Sequence, residues 1–335
     1  MREFFKNTIH ALRAGQPVEL VTVVAAGGST PRGAGAMMAV YADGSTEGTV
    51  GGGNVEFAST HLAVQLLSQG ACDLRHFNFV PGDAASLGMV CGGDVTIHFQ
   101  FLPAGNSAVM DVLKDVVTAS GENLDTWLVR RFGDFGVTAM GLADRNGLRY
   151  LPEGTVLPEG LLENKGVYQD DWFACPVVKA GRVYIFGGGH VSQALVPAIA
   201  AVGFQPVVYD DRPEFSDPAL FPKAEKTLCG SFLELEKKIT VTPDDYVVIM
   251  TRGHQADYEV LTQVLRSGAK YIGCIGSRRK LAFCLERLLE AGFTEEEYAR
   301  VHAPIGLAIG AETPAEIAVS ITAEMIAVRA GKDRK

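Results

Sequence analysis

The strongest constraint on the fold is a glycine-rich loop between a predicted strand and a predicted helix in the second half of the chain. Residues 182–186 are a short hydrophobic stretch, Gly187-Gly-Gly189-His190 follows it, and residues 191–202 have the apolar pattern of a helix. A second strand is predicted over 205–209 and ends at Asp210. This order is typical of a dinucleotide-binding unit, in which the helix N-terminus faces an anion.

The alternation of strands and helices continues to the end of the chain. Strands are predicted near 226–228, 246–251 and 271–275, and helices near 231–238, 256–267, 278–291 and 314–329. This alternation of strands and helices predicts a Rossmann-like, doubly wound parallel sheet. Ligands of such sheets bind at the carboxyl ends of the strands. The candidate binding residues are therefore Gly187, Gly189, His190, Asp210, Arg252, His254, Ser277 and Arg278.

Two interpretations of this predicted crevice remain open. Arg252, Arg278 and Arg279 would give the crevice positive charge, because guanidinium groups pair bidentately with phosphate. The Asp210 carboxylate stands where an acid can bind a ribose hydroxyl. The third glycine of the usual pattern is replaced by Ser192. In the alternative interpretation the glycines only form a tight turn, and the arginines are solvated surface residues.

Two further glycine-rich loops occur in the first half of the chain, after a predicted helix over residues 4–14. The loop over 27–35 contains Ser29, Thr30 and Arg32, and such a loop can cradle an anionic or heterocyclic ligand. The loop over 48–54 brings Gly52, Gly53 and Asn54 to the start of a helix predicted over 55–69. Asn54 and Glu56 either contact that ligand or cap the helix. Neither loop ends in the Lys-Ser or Lys-Thr pair of a nucleotide-hydrolysing P-loop.

The pattern indicates an α/β protein of two domains. Residues 151–169 are rich in Pro, Gly and Glu with weak periodicity, which is typical of a connection between domains. We predict an N-terminal α/β domain over 1–172 and a C-terminal Rossmann-like domain over 173–335.

Cys91 is the cysteine that the sequence singles out, because glycines flank it at positions 92 and 93. Glycines allow close approach, and nearby amides lower a thiol pKa, so this thiolate could bind a metal or carry sulfur. A buried structural thiol is the alternative. The six cysteines include no Cys-x-x-Cys pair and the seven histidines show no ligand spacing, so we expect no metal site of the protein's own.

Charge and hydropathy exclude several classes of partner. The formal net charge of -9 opposes non-specific binding to nucleic acid. No run of roughly 18 apolar residues predicts a membrane span. The first fifteen residues lack a signal-peptide core, so we expect a cytoplasmic protein.

Taken together, these motifs resemble the XdhC/CoxI family of accessory factors for xanthine dehydrogenase and related molybdenum hydroxylases. The resemblance spans nearly the whole chain. It rests on Gly28-Ser-Thr-Pro-Arg32, Gly51-Gly-Gly-Asn-Val-Glu56, Gly88-Met-Val-Cys-Gly-Gly93, Ile185-Phe-Gly-Gly-Gly-His-Val191, Tyr209-Asp-Asp-Arg212, Thr251-Arg-Gly-His254, Tyr271-Ile-Gly-Cys-Ile-Gly-Ser-Arg-Arg279, His302-Ala-Pro-Ile-Gly-Leu307 and Pro314-Ala-Glu-Ile-Ala318.

The resemblance implies a chaperone rather than a catalyst. Such a protein binds the molybdenum cofactor, protects it while a sulfido ligand is installed, and inserts it into the apo-hydroxylase. A cysteine desulfurase is the implied sulfur donor, and the implied assembly is a homodimer. Cys91 would then face the dithiolene and the metal.

Two other functions remain as alternatives. An NAD(P)-dependent oxidoreductase, with NAD(P) or another dinucleotide as ligand, fits the glycine loop and Asp210, but the sequence offers no obvious catalytic pair for a substrate. A scaffold that binds desulfurase and hydroxylase without touching the cofactor is the third hypothesis.

Overall fold

The computed structural model describes residues 1–78, 93–134 and 136–332, without the side chain of Arg278. The chain divides into two compact units, Met1–Lys179 and Ala180–Lys335. Residues 172–178, which span the predicted boundary between 172 and 173, form a strand that pairs within the first unit. Between residues 1 and 332, in the three described ranges, no helix is long and apolar enough to cross a membrane.

The first unit contains three helices and ten strands in its described part. The helices are α1 (Arg2–Arg13), α2 (Gly53–Gln69) and α3 (Ser107–Gly121). The strands are β1 (Val18–Gly28), β2 (Met37–Val40), β3 (Thr46–Gly48), β4 (Asp73–Asn78), β5 (Gly93–Leu102), β6 (Thr126–Gly133), β7 (Gly136–Asp144), β8 (Gly147–Arg149), β9 (Val167–Gln169) and β10 (Trp172–Val178). They form two five-stranded antiparallel sheets, in the orders β3-β2-β1-β5-β4 and β8-β7-β6-β10-β9.

Alternating residues of the long strand β1 serve two different cores. Leu20 and Val24 point into a core shared with α1, α3 and the second sheet. Val21 and Val23 point to the opposite face, which α2 covers. Because successive strand residues face opposite sides, the almost continuous apolar run of β1 is explained by burial of both faces.

The second unit is the predicted parallel sheet. Its strands are β11 (Arg182–Phe186), β12 (Gln205–Asp210), β13 (Lys226–Cys229), β14 (Tyr246–Ile249), β15 (Tyr271–Cys274) and β16 (Val301–His302). Its helices are α4 (His190–Ala201), α5 (His254–Val264), α6 (Arg278–Glu290), α7 (Glu295–Ala299) and α8 (Pro314–Arg329). The order β13-β12-β11-β14-β15-β16 is parallel throughout, so the doubly wound Rossmann-like prediction is confirmed.

The helix predicted over 231–238 is wrong. The structure has only one short 3-10 turn there, Leu235–Lys237. Phe232 and Leu235 are buried, and a spacing of three residues lines up side chains in a 3-10 turn as well as on a helix. The Gln263 side chain accepts a hydrogen bond from Leu235 N at 3.0 Å, which helps to hold this turn without a longer helix.

A buried carboxylate organises the loop after β16. Glu324 of α8 accepts hydrogen bonds from the Tyr271 hydroxyl at 2.7 Å and from Gly306 N at 2.8 Å. Its other oxygen lies 3.4 Å from His302 Nδ1. The His-Ala-Pro-Ile-Gly motif therefore has a structural function, since it joins the sheet to α8.

Candidate functional site

The glycine loop after β11 lies at the switch point of the parallel sheet. The chain continues from β11 to β12 on one side, and β14 pairs with β11 on the other side. The loop after β14 reaches the same edge, and a Cβ at Gly187 would collide with the Met250 carbonyl. Crevices at such points are the usual ligand sites of open α/β sheets.

The first two glycines of this loop are required by the fold itself. Gly187 has a φ of +107°, where side chains are strained, and a Cβ at Gly188 would overlap the Phe215 carbonyl oxygen. Ser192, in place of the third glycine, donates its hydroxyl to the Gly187 carbonyl. The fold therefore gives these two glycines a structural reason, and the ligand-binding role of Gly187 stays a prediction.

Gly189 and Gly253 have no such structural requirement. They are the N-cap residues of α4 and α5, and their φ values of -70° and -166° suit any residue. Apart from chain neighbours, no described atom lies within 4 Å of the Cβ position of either glycine. Two helix N-termini therefore open onto the edge of the sheet, and a side chain at either position would fill space that the glycine leaves empty.

Asp210 is 1% exposed, and the chain itself uses all of its acceptor positions. One oxygen accepts from Arg212 N and Nε at 2.9 Å, and the other from Gly188 N at 2.8 Å and Arg212 Nη2 at 3.1 Å. Burial raises the pKa of Asp210, but these hydrogen bonds outweigh burial and leave the pKa below its ordinary value. A carboxylate has about four acceptor positions. Binding of a ribose hydroxyl by Asp210 stays a prediction, and no unused acceptor position of its carboxylate supports it.

Asp211, next to Asp210, borders a cleft, although it was not among the predicted site residues. Asp211 and Arg252 form an ion pair at 2.8 Å on the wall of a cleft of about 560 Å³. Gly253 and Glu259 line the same cleft. Arg252 is therefore placed at the sheet edge as predicted, and its charge is partly neutralised there.

A second cleft, of about 390 Å³, lies between the beginnings of α5 and α6. Its walls are His254, Ser277, Arg279, Lys280 and Phe283. The structure thus brings together His254, Ser277 and Arg279, which were predicted at the sheet edge. Lys280 and Phe283 were not predicted. The one available signal for Phe283 was an aromatic residue among polar positions of a predicted helix.

Asp257 connects the two helices behind this second cleft. Its side chain is fully buried and forms an ion pair with Lys280. Its other oxygen accepts hydrogen bonds from the backbone N–H and the hydroxyl of Thr251. Lys280 therefore neutralises a buried carboxylate, while Arg279 is exposed at the cleft.

The two N-terminal loops lie close together in the first unit. Ser29 and Arg32 are exposed, Thr30 is half-buried, and Pro31 is 3.4 Å from the Cβ position of Gly51. Gly52, with a φ of +73°, is the N-cap of α2. The polar groups of the first loop therefore lie near the N-terminus of α2.

Glu56 caps the second loop. Its Oε2 accepts hydrogen bonds from Val50 N at 3.2 Å, from Gly52 N at 3.1 Å and from the Thr49 hydroxyl. Burial raises the pKa of Glu56, but these hydrogen bonds have the larger effect and leave the pKa below its ordinary value. Of the two alternatives for Glu56, the structure shows the capping one, while Asn54 beside it is exposed.

Cys91 lies outside the described residues, as do its neighbours from 79 to 92. Among the cysteines that are described, burial raises the pKa of Cys72, Cys274 and Cys284, and raises that of Cys175 to about 11. These four are thiols at neutral pH and weak nucleophiles. Across the described ranges, no cluster of three metal-ligating side chains occurs.

The sequence matches two models of one protein family. Residues 183–325 match the XdhC Rossmann domain, and residues 11–78 match the XdhC and CoxI family. The chain belongs to the XdhC/CoxI family. The resemblance seen in the sequence motifs is thereby confirmed.

Three curated relatives of this XdhC/CoxI chain differ in how far they align. It is 24% identical over 331 residues to the molybdenum cofactor insertion chaperone PaoD of Escherichia coli, covering 98% of this chain and 88% of PaoD. A probable xanthine dehydrogenase component of Bacillus subtilis is 32% identical over 44% of this chain and 43% of its own length. The uncharacterized protein YqeB of E. coli is 28% identical over 93% of this chain. The chain spans 44% of YqeB, less than half its length.

A solved structure has the same fold over almost its whole length. The crystal structure of a xanthine dehydrogenase from Bacillus halodurans superposes with a TM-score of 0.79 at 26% identity. The superposition covers 98% of this chain and 97% of that one. The XdhC/CoxI chain thus shares the fold of that protein across both of its units.

Proposed function

We propose that the protein binds the molybdenum cofactor, assists its sulfuration and inserts it into a xanthine dehydrogenase or related molybdenum hydroxylase. The observation that carries this proposal is the pair of N-cap glycines, Gly189 and Gly253, which leave space at two helix N-termini. The cofactor is an anionic pterin with a phosphate or dinucleotide tail, and helix N-termini favour phosphate. Full-length alignment with PaoD, a molybdenum cofactor insertion chaperone, supports the same function.

In this proposal the protein's own groups hold and shield the cofactor. The amides at the starts of α4 and α5 and the side chains of Arg252, His254 and Ser277 bind the tail at the sheet edge. The predicted contribution of Arg278 falls on a side chain outside the described ones. In the first unit, a separate polar surface for an anionic or heterocyclic ligand is formed by the loops with Ser29, Thr30, Arg32, Gly52, Gly53 and Asn54. A homodimer, a cysteine desulfurase and a hydroxylase in the cytoplasm complete the proposed system.

The first experiment measures cofactor retention by the purified protein. Under anaerobic conditions, wild type is expected to keep the molybdenum cofactor on gel filtration, and excess NADH or NADPH is expected not to displace it. Gly189→Ala and Gly253→Ala should each weaken retention about tenfold or more, because a methyl group fills the space at a helix N-terminus.

Gly121→Ala is the matched control for these two substitutions. Gly121 lies in the first unit, has no positive φ, and its Cβ position meets only Arg2 Nη2 at 4.0 Å among the described atoms. It should retain the cofactor as wild type does. Absence of retention by wild type, together with saturable NAD(P) binding, would favour the oxidoreductase hypothesis instead.

Cys91 is proposed to act in sulfuration rather than in holding the protein together. Cys91→Ser is expected to retain the cofactor but to lower the yield of active hydroxylase in a reconstitution with desulfurase and L-cysteine. Cys72→Ser, at a half-buried thiol, is the control and should leave that yield unchanged. Equal yields from Cys91→Ser and wild type would show that Cys91 is not required.

A further inference from the structure

The cleft between α5 and α6 has an aromatic corner at its wall. The ring of Phe283 stands edge-on to the ring of His254, at 87° and 5.1 Å between centroids. Phe283 is 43% exposed, so much of its side chain remains accessible. Concave sites often bind a flat ligand against an exposed aromatic side chain.

The charges around this corner favour an anionic ligand. Arg279 and Lys280 line the cleft, and no carboxylate is among its described lining residues. The nearby Asp257 is buried and already neutralised by its ion pair with Lys280. The neighbouring cleft differs, since Asp211 and Glu259 line it and Asp211 pairs with Arg252.

Neighbouring residues at the start of α5 line the two clefts. Gly253 lines the acidic cleft and His254, the next residue, lines the aromatic one. A ligand with a phosphate at the N-terminus of α5 can therefore extend a ring towards Phe283. The volume of about 390 Å³ lies within the range of small-molecule sites.

From these observations we infer that the cleft between α5 and α6 binds the planar nitrogen heterocycle of an anionic ligand, with Phe283 as the stacking surface and Arg279 at the anionic group. This assignment rests on the proposed function, because it states which part of the cofactor the second unit recognises. The heterocycle is either the pterin or the nucleobase of a dinucleotide tail. Both are flat, nitrogen-rich and attached to an anion.

The test measures binding of two probes to the full chain. Pterin-6-carboxylate, followed by its fluorescence, represents the pterin, and cytidine 5'-diphosphate, in equilibrium dialysis, represents a nucleotide tail. Phe283→Ala should weaken binding of the preferred probe about tenfold, and Phe283→Trp should restore it, because stacking needs a ring rather than a particular residue. Arg279→Gln should also weaken it, through loss of a charged hydrogen bond.

Leu289→Ala is the matched control. Leu289 lies on the same helix and is 39% exposed, and it does not line the cleft. It should bind both probes as wild type does. Equal melting temperatures of Phe283→Ala and wild type would confirm that the lost binding is not a loss of folding.

Failure of the inference can be told from failure of the proposed function. If Phe283→Ala retains the whole cofactor and binds both probes as wild type does, or if wild type binds neither probe, the inference is overturned. If wild type retains no cofactor but binds a probe through Phe283, the proposed function fails and the assignment of the cleft stands.

Discussion

Glu19 shows at the scale of a single residue how burial changes a titration. Its side chain lies on β1, is 0% exposed, and neither oxygen has a hydrogen-bond partner among the described residues. Desolvation disfavours the charged form and raises the pKa of Glu19 to about 8. The folded protein therefore holds a proton at neutral pH that the unfolded chain releases.

This residue predicts a dependence of stability on pH. Below about pH 4.5 Glu19 is protonated in both states, and as the pH rises towards 8 only the unfolded state loses its proton. The contribution of Glu19 to stability is thus fully present at low pH and is lost as the pH rises to about 8. Glu19→Gln should remove this slope and stabilise the protein by about 1–3 kcal/mol at pH 7.5.

Urea unfolding at pH 5, 6.5 and 8 would measure this effect. Glu153→Gln, at an exposed glutamate of the same unit, is the control and should keep the wild-type slope. A Glu19→Gln variant with an unchanged slope would show that Glu19 is ionised in the folded protein.

At the scale of elements, the starts of α5 and α6 are held together by Asp257. This carboxylate binds Thr251 at the end of β14 and Lys280 on α6, so that one buried group fixes two helices against one strand. The walls of the aromatic cleft depend on this link. A buried ion pair strongly resists the loss of one partner, because the remaining charge is left uncompensated.

A double-mutant cycle tests that link. Asp257→Asn alone should destabilise the second unit by about 3 kcal/mol, since it leaves the Lys280 ammonium without its counter-charge. Combination with Lys280→Met should cost less than the sum of the two single changes. Additive costs in urea unfolding would mean that the two side chains do not interact.

For the whole molecule, the two units have separate hydrophobic cores. Leu142 is fully buried in the core of the first unit, and Val248 is fully buried in that of the second. Each unit therefore has the apolar interior that an independently folding domain requires.

We expect calorimetry to resolve two unfolding transitions. Leu142→Ala should lower the free energy of unfolding of the first unit by about 2–4 kcal/mol, because it leaves a cavity in that core. Val248→Ala should do the same to the second unit, so that each variant shifts only one transition. A single transition that both variants shift equally would show that the units unfold together.

The architecture of the second unit was predictable because its signals are local. Hydrophobic strands, amphipathic helices and glycine turns each depend on residues close together in the sequence, and the parallel sheet follows from their order. Residues that end neighbouring strands must then lie at one edge of the sheet. For this reason His254 and Ser277 were correctly grouped, although they are far apart in the chain.

Only the tertiary structure decided which polar groups are already engaged. Asp210 follows a strand as a ribose-binding acid would, yet its acceptors bind Arg212 and Gly188. Arg130 lies in a strand pattern without any local sign of burial, but it is 0% exposed and donates to Gln100 Oε1 at 3.1 Å. The sequence by itself determined the strands of the parallel sheet and the edge at which their carboxyl ends meet, although it wrongly predicted a helix over 231–238. The hydrogen-bond partners depend on residues distant in sequence, so the structure alone placed Asp211 and Phe283 at the clefts.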